Sequence, residues 1–270
     1  MKIDGNKIAQ EILKNLQKKT EELKKLGHTP KLIIILINDD SSSKSYVKQK
    51  EIKAKEIGVE TSTIILPISI SKEKLKEKVD KLNKDKSIHG IIIQRPLPPQ
   101  IDSYFATSII AKGKDVDGLR KGSSFKSPIA QAVAEVLNEI NPNLEKFLKT
   151  KKITIIGKGE TGGDPIINFL KEQGIKPSII DRNTKGVAKL IRESDIIVST
   201  VGKPNIINTK DLKKNVILIG IGMYKDKYGK FQADYNQKEA DKIASFYTPV
   251  PGGIGPLTVT FLLKNLILAI

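Results

Sequence analysis

Short aliphatic runs that do not alternate with polar residues decide what this chain can fold into. Lys31–Ile37 reads KLIIILI and Gly90–Ile93 reads GIII. A strand with one wet face alternates apolar and polar residues, whereas an unbroken run belongs to a strand covered on both faces. Segments with helical spacing separate these runs. Ile8–Leu26 is amphipathic and stops at Gly27, and Ser45–Ile57 stops at Gly58. Lys72–Leu82 places Leu75, Val79 and Leu82 on one face among lysines and acids. Glu60–Leu66 reads as a further strand. Strands alternating with helices imply a largely parallel sheet with helices on both faces, an α/β fold.

The pattern pauses at Asp117-Gly118 and then restarts. Pro128–Glu139 reads as a helix, Lys152–Ile156 as a strand, Pro165–Gln173 as a helix and Ser178–Ile180 as a strand. A short helix around Val187–Ile191 and strands at Ile196–Ser199 and Val216–Ile219 follow. This second unit has the form of a Rossmann-like, doubly wound nucleotide-binding domain. A last helix, Leu257–Ile270, comes after the Pro/Gly-dense stretch Thr248–Pro256. At 270 residues the chain has room for two domains of ordinary size, with a boundary in Gly118–Lys126.

Composition removes several chemistries. With no cysteine there is no disulfide framework, thiolate zinc site or cysteine nucleophile. Two histidines, His28 and His89, are too few for a multi-histidine metal centre, so no metal site is expected. No apolar run approaches the ~20 residues of a membrane span, and MKIDGNKIAQ lacks a signal-peptide core, which suggests a cytoplasmic protein. The net charge of +17 raises nucleic-acid binding as a function. Yet it is spread evenly, +7 over residues 1–117 and +10 over residues 118–270, which reads as Lys-rich helix faces.

Five constellations carry chemistry. Lys152–Pro165 (KITIIGKGETGGDP) runs a strand into Gly157-x-Gly159-x-x-Gly162 and a Pro-opened helix. Glycines there let the backbone approach a pyrophosphate, and the helix N-terminus attracts its charge. Asp181, at the end of the next apolar run, stands where an acid bonds the ribose hydroxyls of NAD. Arg182 beside it and Lys158 in the loop suit the extra phosphate of NADP. Tyr46 and Lys50 lie one turn apart on one helix face, an arrangement that in isolation is ordinary packing. Gln94-Arg95-Pro96 ends a buried strand, where open α/β sheets place ligands. In Lys114–Gly118 (KDVDG), Asp115 and Asp117 flank one valine and would point the same way in an extended segment. Tyr247–Thr258 (YTPVPGGIGPLT) is a rigid loop poor in side chains.

In this order, SYVKQK at Ser45–Lys50, GIIIQRPLP at Gly90–Pro98, KDVDG, the glycine loop, SDIIVSTVGKPN at Ser194–Asn205 and TPVPGGIGPLTVTFLLKN at Thr248–Asn265 resemble the bifunctional methylenetetrahydrofolate dehydrogenase/cyclohydrolase family. The resemblance spans nearly the whole chain. It implies a catalytic domain of residues 1–122 completed by the C-terminal segment 251–270, an NADP-binding Rossmann domain of residues 123–250, and a folate cleft. It implies oxidation of methylenetetrahydrofolate by NADP, hydrolysis of methenyltetrahydrofolate to the 10-formyl form, and a homodimer. Residue by residue, Lys50 matches the catalytic lysine, Gln94 its hydrogen-bonding partner, Tyr46 the ring that stacks on aminobenzoate, and Asp117 the acceptor for the pterin amino groups. Pro96, Pro251, Gly252 and Gly253 match folate-site positions. Gly157, Lys158, Gly159, Thr200, Gly220 and Ile221 match cofactor contacts, alongside Asp181 and Arg182. NAD stands as the alternative cofactor because of Asp181. A two-domain dehydrogenase of another small substrate, of shikimate type, is the alternative activity.

The sequence also departs from that family. The stretch LRKGSSFKSP after Gly118 is short and lacks the usual histidine and asparagine. Gly159 replaces a serine and Lys158 an arginine. Asp181-Arg182-Asn183-Thr184 replaces His-Ser-Arg-Thr. Leu218 and Gly222 replace an aspartate and an asparagine, and Arg95 an apolar residue. Most of these changes fall in the cofactor half.

Overall fold

The computed structural model describes residues 1–37 and 41–270, with residues 41 and 42 described by their backbone. In chain order its first elements are α1 (Gly5–Lys25), β1 (Lys31–Leu36), α2 (Ser41–Glu56), β2 (Glu60–Ile65), α3 (Lys72–Lys84), β3 (Gly90–Ile93) and α4 (Ser103–Ser108). Next come α5 (Pro128–Ile140), α6 (Leu144–Lys149), β4 (Ile153–Ile156), α7 (Gly163–Glu172), β5 (Ser178–Ile180), α8 (Val187–Glu193), β6 (Ile196–Ser199) and β7 (Ile217–Gly220). The chain closes with β8 (Met223–Lys225), β9 (Phe231–Ala233), α9 (Gln237–Ile243), β10 (Phe246–Tyr247) and α10 (Ile254–Ile267). Two compact units result: Met1–Ala9 with Ile129–Thr258, and Gln10–Pro128 with Val259–Ile270.

In the second of these units the strands lie parallel in the order β2-β1-β3. Every residue from Leu32 to Ile37 is buried, as the unbroken run requires. Alternate residues of a strand face opposite sides, so the sheet feeds two cores. Leu32, Ile34 and Ile92 pack with Leu13 and Leu16 of α1, Val47 and Ala54 of α2, and Leu262, Leu263 and Leu266 of α10. Ile33, Ile35, Ile91 and Ile93 pack with Leu75 and Val79 of α3 and Ala106 of α4. Cutting one such Ile or Leu back to Ala costs about 2–5 kcal/mol. Gly90 is confined by this packing, because a Cβ there would lie 2.6 Å from Leu266 and 2.9 Å from Val116.

The other unit holds a five-stranded parallel sheet in the order β10-β7-β6-β4-β5. From β4 the chain moves one way to β5, then crosses to β6, β7 and β10 on the other side. That reversal puts a crevice at the carboxyl ends of β4 and β6, where doubly wound sheets take ligands. The antiparallel pair β8–β9 is an addition the sequence reading lacks. Its three-residue strands, and the two-residue β10, are too short to leave a periodic signal. The last helix starts three residues earlier than Leu257, at Ile254, and α7 starts at Gly163 rather than Pro165. Among the described residues no helix is long and apolar enough to cross a membrane.

Candidate active site

Two polar sites emerge, one in each unit. The first is built on β1, α2 and β3. α2 carries Tyr46 and Lys50 on one face, and the backbone N–H of Gln94 donates to Ile35 O at 2.8 Å, prolonging the ladder past the end of β3. Lys50 Nζ donates to Gln94 Oε1 at 2.8 Å, and Gln94 Nε2 donates to the Arg95 carbonyl at 2.9 Å. That second bond fixes which end of the amide faces the lysine. Lys50 Nζ also lies 4.8 Å from the centroid of the Tyr46 ring. Only 5% of Lys50 is exposed. Burial pulls its pKa below the ordinary lysine value, while the charge of Asp117 opposes that shift. The Tyr46 phenol is pushed up to about 12, by burial first and then by Asp117, so it keeps its proton. Tyr46, Lys50, Gln94 and Asp117 thus form one set, as their motifs anticipate.

Asp117 is placed by a turn, not by an extended strand, and the reading that both aspartates point the same way is corrected. Val116 N–H donates to Lys114 O at 3.0 Å and Gly118 N–H to Asp115 O at 3.0 Å. Gly118 has φ +61°, and a Cβ there would come 2.7 Å from Phe125 O, so the turn admits no side chain. Asp115 folds back into its own loop, where its Oδ2 accepts from the Arg120 N–H at 2.8 Å. It is 1% exposed, and burial pushes its carboxyl up to about 6. The sequence reading missed Asn265 on α10. Its Nδ2 donates to Val116 O at 2.8 Å and to Lys126 O at 2.9 Å, tying both ends of this turn to the helix. A lone asparagine in an apolar helix was the available signal.

Pro96 follows Arg95 through a cis peptide, and Pro251 follows Val250 through another. Pro251, Gly252 and Gly253 belong to the other unit. There the loop backbone meets the start of α1: a Cβ on Gly5 would lie 1.8 Å from Gly253 O, and one on Gly252 2.9 Å from Asn6 Nδ2.

The second site is the crevice at β4 and β6, a cleft of about 650 Å³. Gly157, Lys158, Gly159, Asp181, Arg182 and Thr200 line it, joined by Lys203, which the sequence reading did not pick. The glycines divide the work. Gly157 has φ +91° and presses against Thr200, whose Oγ1 would be 2.7 Å from a Cβ. Gly163, not Gly162, gives the tightest approach of α7 to the loop, since its Cβ would lie 1.9 Å from Gly157 O. Gly159 faces open space, so nothing in the protein demands a glycine there; its bare backbone suits a ligand lying on it. Gly220 and Ile221 sit at the end of β7, the strand next to β6, and do not line the cleft. Gly220 is covered by the Tyr235 ring, and its N–H donates to Thr248 Oγ1 at 2.8 Å. Ile221 N–H donates to Ser199 O at 2.8 Å.

At the end of β5, Lys158 Nζ pairs with Asp181 Oδ2 at 2.8 Å. Asp181 Oδ1 accepts from Asn183 N–H and Thr184 Oγ1, both at 3.0 Å. These donors, Lys158 foremost, hold the carboxyl at about 2, so it is ionised at any working pH. A backbone-lined loop at a helix N-terminus, an acid at the second strand end and three cations form a donor set that fits a dinucleotide.

Both halves of the chain match one family of known proteins. Residues 3–117 match the family described as tetrahydrofolate dehydrogenase/cyclohydrolase, catalytic domain, and residues 127–270 match its NAD(P)-binding domain. The bifunctional protein FolD of Staphylococcus carnosus is 34% identical over 272 residues, covering 99% of this chain and 95% of its own. The crystal structure of the bifunctional FolD dehydrogenase/cyclohydrolase from Campylobacter jejuni superposes with a TM-score of 0.93 at 30% identity, over 98% of this chain and 96% of that one. The Trypanosoma brucei enzyme, crystallised with NADP cofactor and inhibitor, superposes with a TM-score of 0.91 at 29% identity, over 100% and 96%.

Proposed function

The chain belongs to the tetrahydrofolate dehydrogenase/cyclohydrolase family and is a methylenetetrahydrofolate dehydrogenase/cyclohydrolase of one-carbon folate metabolism, and we propose that its two sites divide the chemistry, with Lys50 the acid–base group for the folate and the cleft at β4 and β6 the seat of NADP. The observation that carries the first part is a lysine 5% exposed and hydrogen-bonded at 2.8 Å to Gln94. In this reading residues 1–122 with 251–270 handle folate and residues 123–250 the dinucleotide.

Held by Gly157, Lys158, Gly159 and Thr200, a dinucleotide would supply the acceptor for the hydride lost when the methylene folate is oxidised to its methenyl form. Water then adds to the methenyl carbon. Lys50, whose burial already disfavours the ammonium, takes the proton lost by the water as the C–O bond forms. Lys50 returns that proton to N5 as the C–N5 bond breaks, and the added hydroxyl loses its own proton to solvent as it becomes the formyl C=O, so the 10-formyl product forms with one proton released overall. Gln94 accepts one lysine N–H and so turns the remaining positions of Nζ away from itself. Asp117 faces the pterin amino groups as an acceptor. Tyr46, holding its proton, offers a neutral ring for the aminobenzoate. The cationic methenyl group lowers the affinity of Lys50 for its proton further, so the base is readied by its own substrate. Pro96, next to Gln94-Arg95 in the same unit, completes the folate contacts in this proposal.

NADP over NAD rests on Lys158, Arg182 and Lys203, three cations lining one cleft with the single acid Asp181. The T. brucei relative holds NADP. The second reading, NAD, is favoured by the ionised Asp181, which opposes a nearby phosphate and accepts from ribose hydroxyls. Steady-state oxidation of methylenetetrahydrofolate with each cofactor decides between them. NADP is expected to show the lower KM, and Lys158→Ala to raise that KM about tenfold by leaving Asp181 unpaired. A lower KM for NAD, unmoved by Lys158→Ala, would establish the second reading. A homodimer, implied by resemblance, is read by sedimentation of the purified protein.

A further inference from the structure

Behind the wall of the dinucleotide cleft sits one fully buried carboxylate with no part in the chemistry above. Asp234 follows β9 and is 0% exposed. Its Oδ2 accepts from Ser199 Oγ at 2.5 Å and from Val201 N–H at 3.0 Å, and its Oδ1 accepts from Lys203 N–H at 2.9 Å. Its carbonyl accepts from Ile207 N–H at 3.2 Å. A single residue therefore holds the chain at four points between 199 and 207, the stretch that gives the cleft Thr200, Val201, Lys203 and Ile206.

The surroundings are shaped to this clasp. A Cβ on Gly222 would lie 2.3 Å from Asp234 Oδ2 and 2.3 Å from Gly202 N. Gly202 has φ +71°, and its own Cβ would come 2.9 Å from Met223 O. Gly222 is a position where this sequence departs from the asparagine of the resembled family. No side chain at that position coexists with the carboxylate where it stands.

We infer that Asp234 is a positioning residue for the dinucleotide: it holds Ser199–Lys203 in the shape that makes Thr200 and Val201 the wall facing the glycine loop. Past the end of β6 this segment keeps one strand-like bond, Thr200 N–H to Ile156 O at 2.9 Å. Without the carboxylate, the N–H groups of Val201 and Lys203 lose their acceptor and the segment is free to rearrange. The wall would then have to be ordered at the moment of binding, which weakens affinity and leaves the chemical step alone. The inference rests on the dinucleotide reading of the cleft, and it separates the two activities, because hydration of the methenyl group uses no dinucleotide.

The test is Asp234→Asn, titrated with NADPH and NADH by nicotinamide fluorescence and assayed for both reactions. An asparagine keeps the shape but sets its NH₂ against a backbone donor. The dissociation constant and the dinucleotide KM are expected to rise about tenfold. The dehydrogenase kcat at saturation and the hydration rate should stay near those of the parent. Should that variant fail to fold, Ser199→Ala removes one donor and is expected to raise the same constants about threefold. A folded Asp234→Asn, or in its place Ser199→Ala, with the parent affinity overturns the inference. So does an equal loss of both activities. If the parent lacked both folate activities while NADPH affinity still fell in Asp234→Asn, the functional assignment would fail and the clasp would stand.

Discussion

Lys50 owes its chemistry to where α2 places it. On a solvated helix face a lysine is an ammonium at neutral pH; here burial lowers its pKa and the Gln94 carbonyl oxygen, a neutral acceptor, is its 2.8 Å partner. Asp117 is the group that works against this, since its charge favours the ammonium. The sign of the pH dependence follows. A base must be deprotonated, so kcat/KM for hydration rises with pH through an inflection below the ordinary lysine value. In Asp117→Asn the charge that favours the ammonium is gone, and the inflection moves to lower pH, although KM for folate rises. Rates corrected for uncatalysed hydration across the pH range read this directly; an inflection that moves up would contradict it. Lys50, Gln94 and Asp117 were legible in the sequence through the family resemblance their motifs carry, and Gln94 also through its place at the end of a buried strand. Asp234 was not. Its three donors lie 31–35 residues away in the chain, and nothing in the local string ADYNQ announces a buried carboxylate.

Elements matter through what ties them together. β1 and β3 were legible as strands because their runs are buried on both faces, and β4 because a glycine loop follows it. Helix α2 was legible mainly by its stop at Gly58, since SSSKSYVKQKEIKAKE has few apolar residues to mark a face. α4, α6 and the β8–β9 pair escaped because three to six residues are fewer than two helical turns or a countable alternation. Nor did the sequence reveal what holds the Asp117 turn in place, because its anchor, Asn265, is 139–149 residues from the carbonyls it serves. Asn265→Ala strips Val116 O and Lys126 O of that donor. The carbonyl of the fully buried Val116 loses its donor, which costs about 1–3 kcal/mol, so a loss of that order in stability to urea is expected. Because the turn carries Asp117, the folate KM should rise as well, with the dinucleotide dissociation constant unchanged. Full stability in this variant would show that the two hydrogen bonds contribute little.

At the scale of the whole molecule the net charge of +17 takes on a different meaning from the one it first suggests. The charges spread over both halves, and many pair along their own helices, as in Lys76–Asp80, Lys81–Glu77 and Lys149–Glu145. Exposed pairs of this kind contribute little to stability. In the proposed mechanism the cations that bear on function are few: Lys50 for the folate, and Lys158, Arg182 and Lys203 for the dinucleotide. That separation makes the two activities divisible by mutation. In the proposed mechanism Lys50 performs the acid–base step of hydration, and other residues hold the dinucleotide. Lys50→Met keeps the length and the apolar stem and removes the proton carrier. Hydration of methenyltetrahydrofolate by this variant, measured beside its NADPH dissociation constant, tests the claim. The rate should fall by about 10²–10⁴-fold with NADPH affinity unchanged. Hydration at the parent rate in a folded Lys50→Met protein would contradict it.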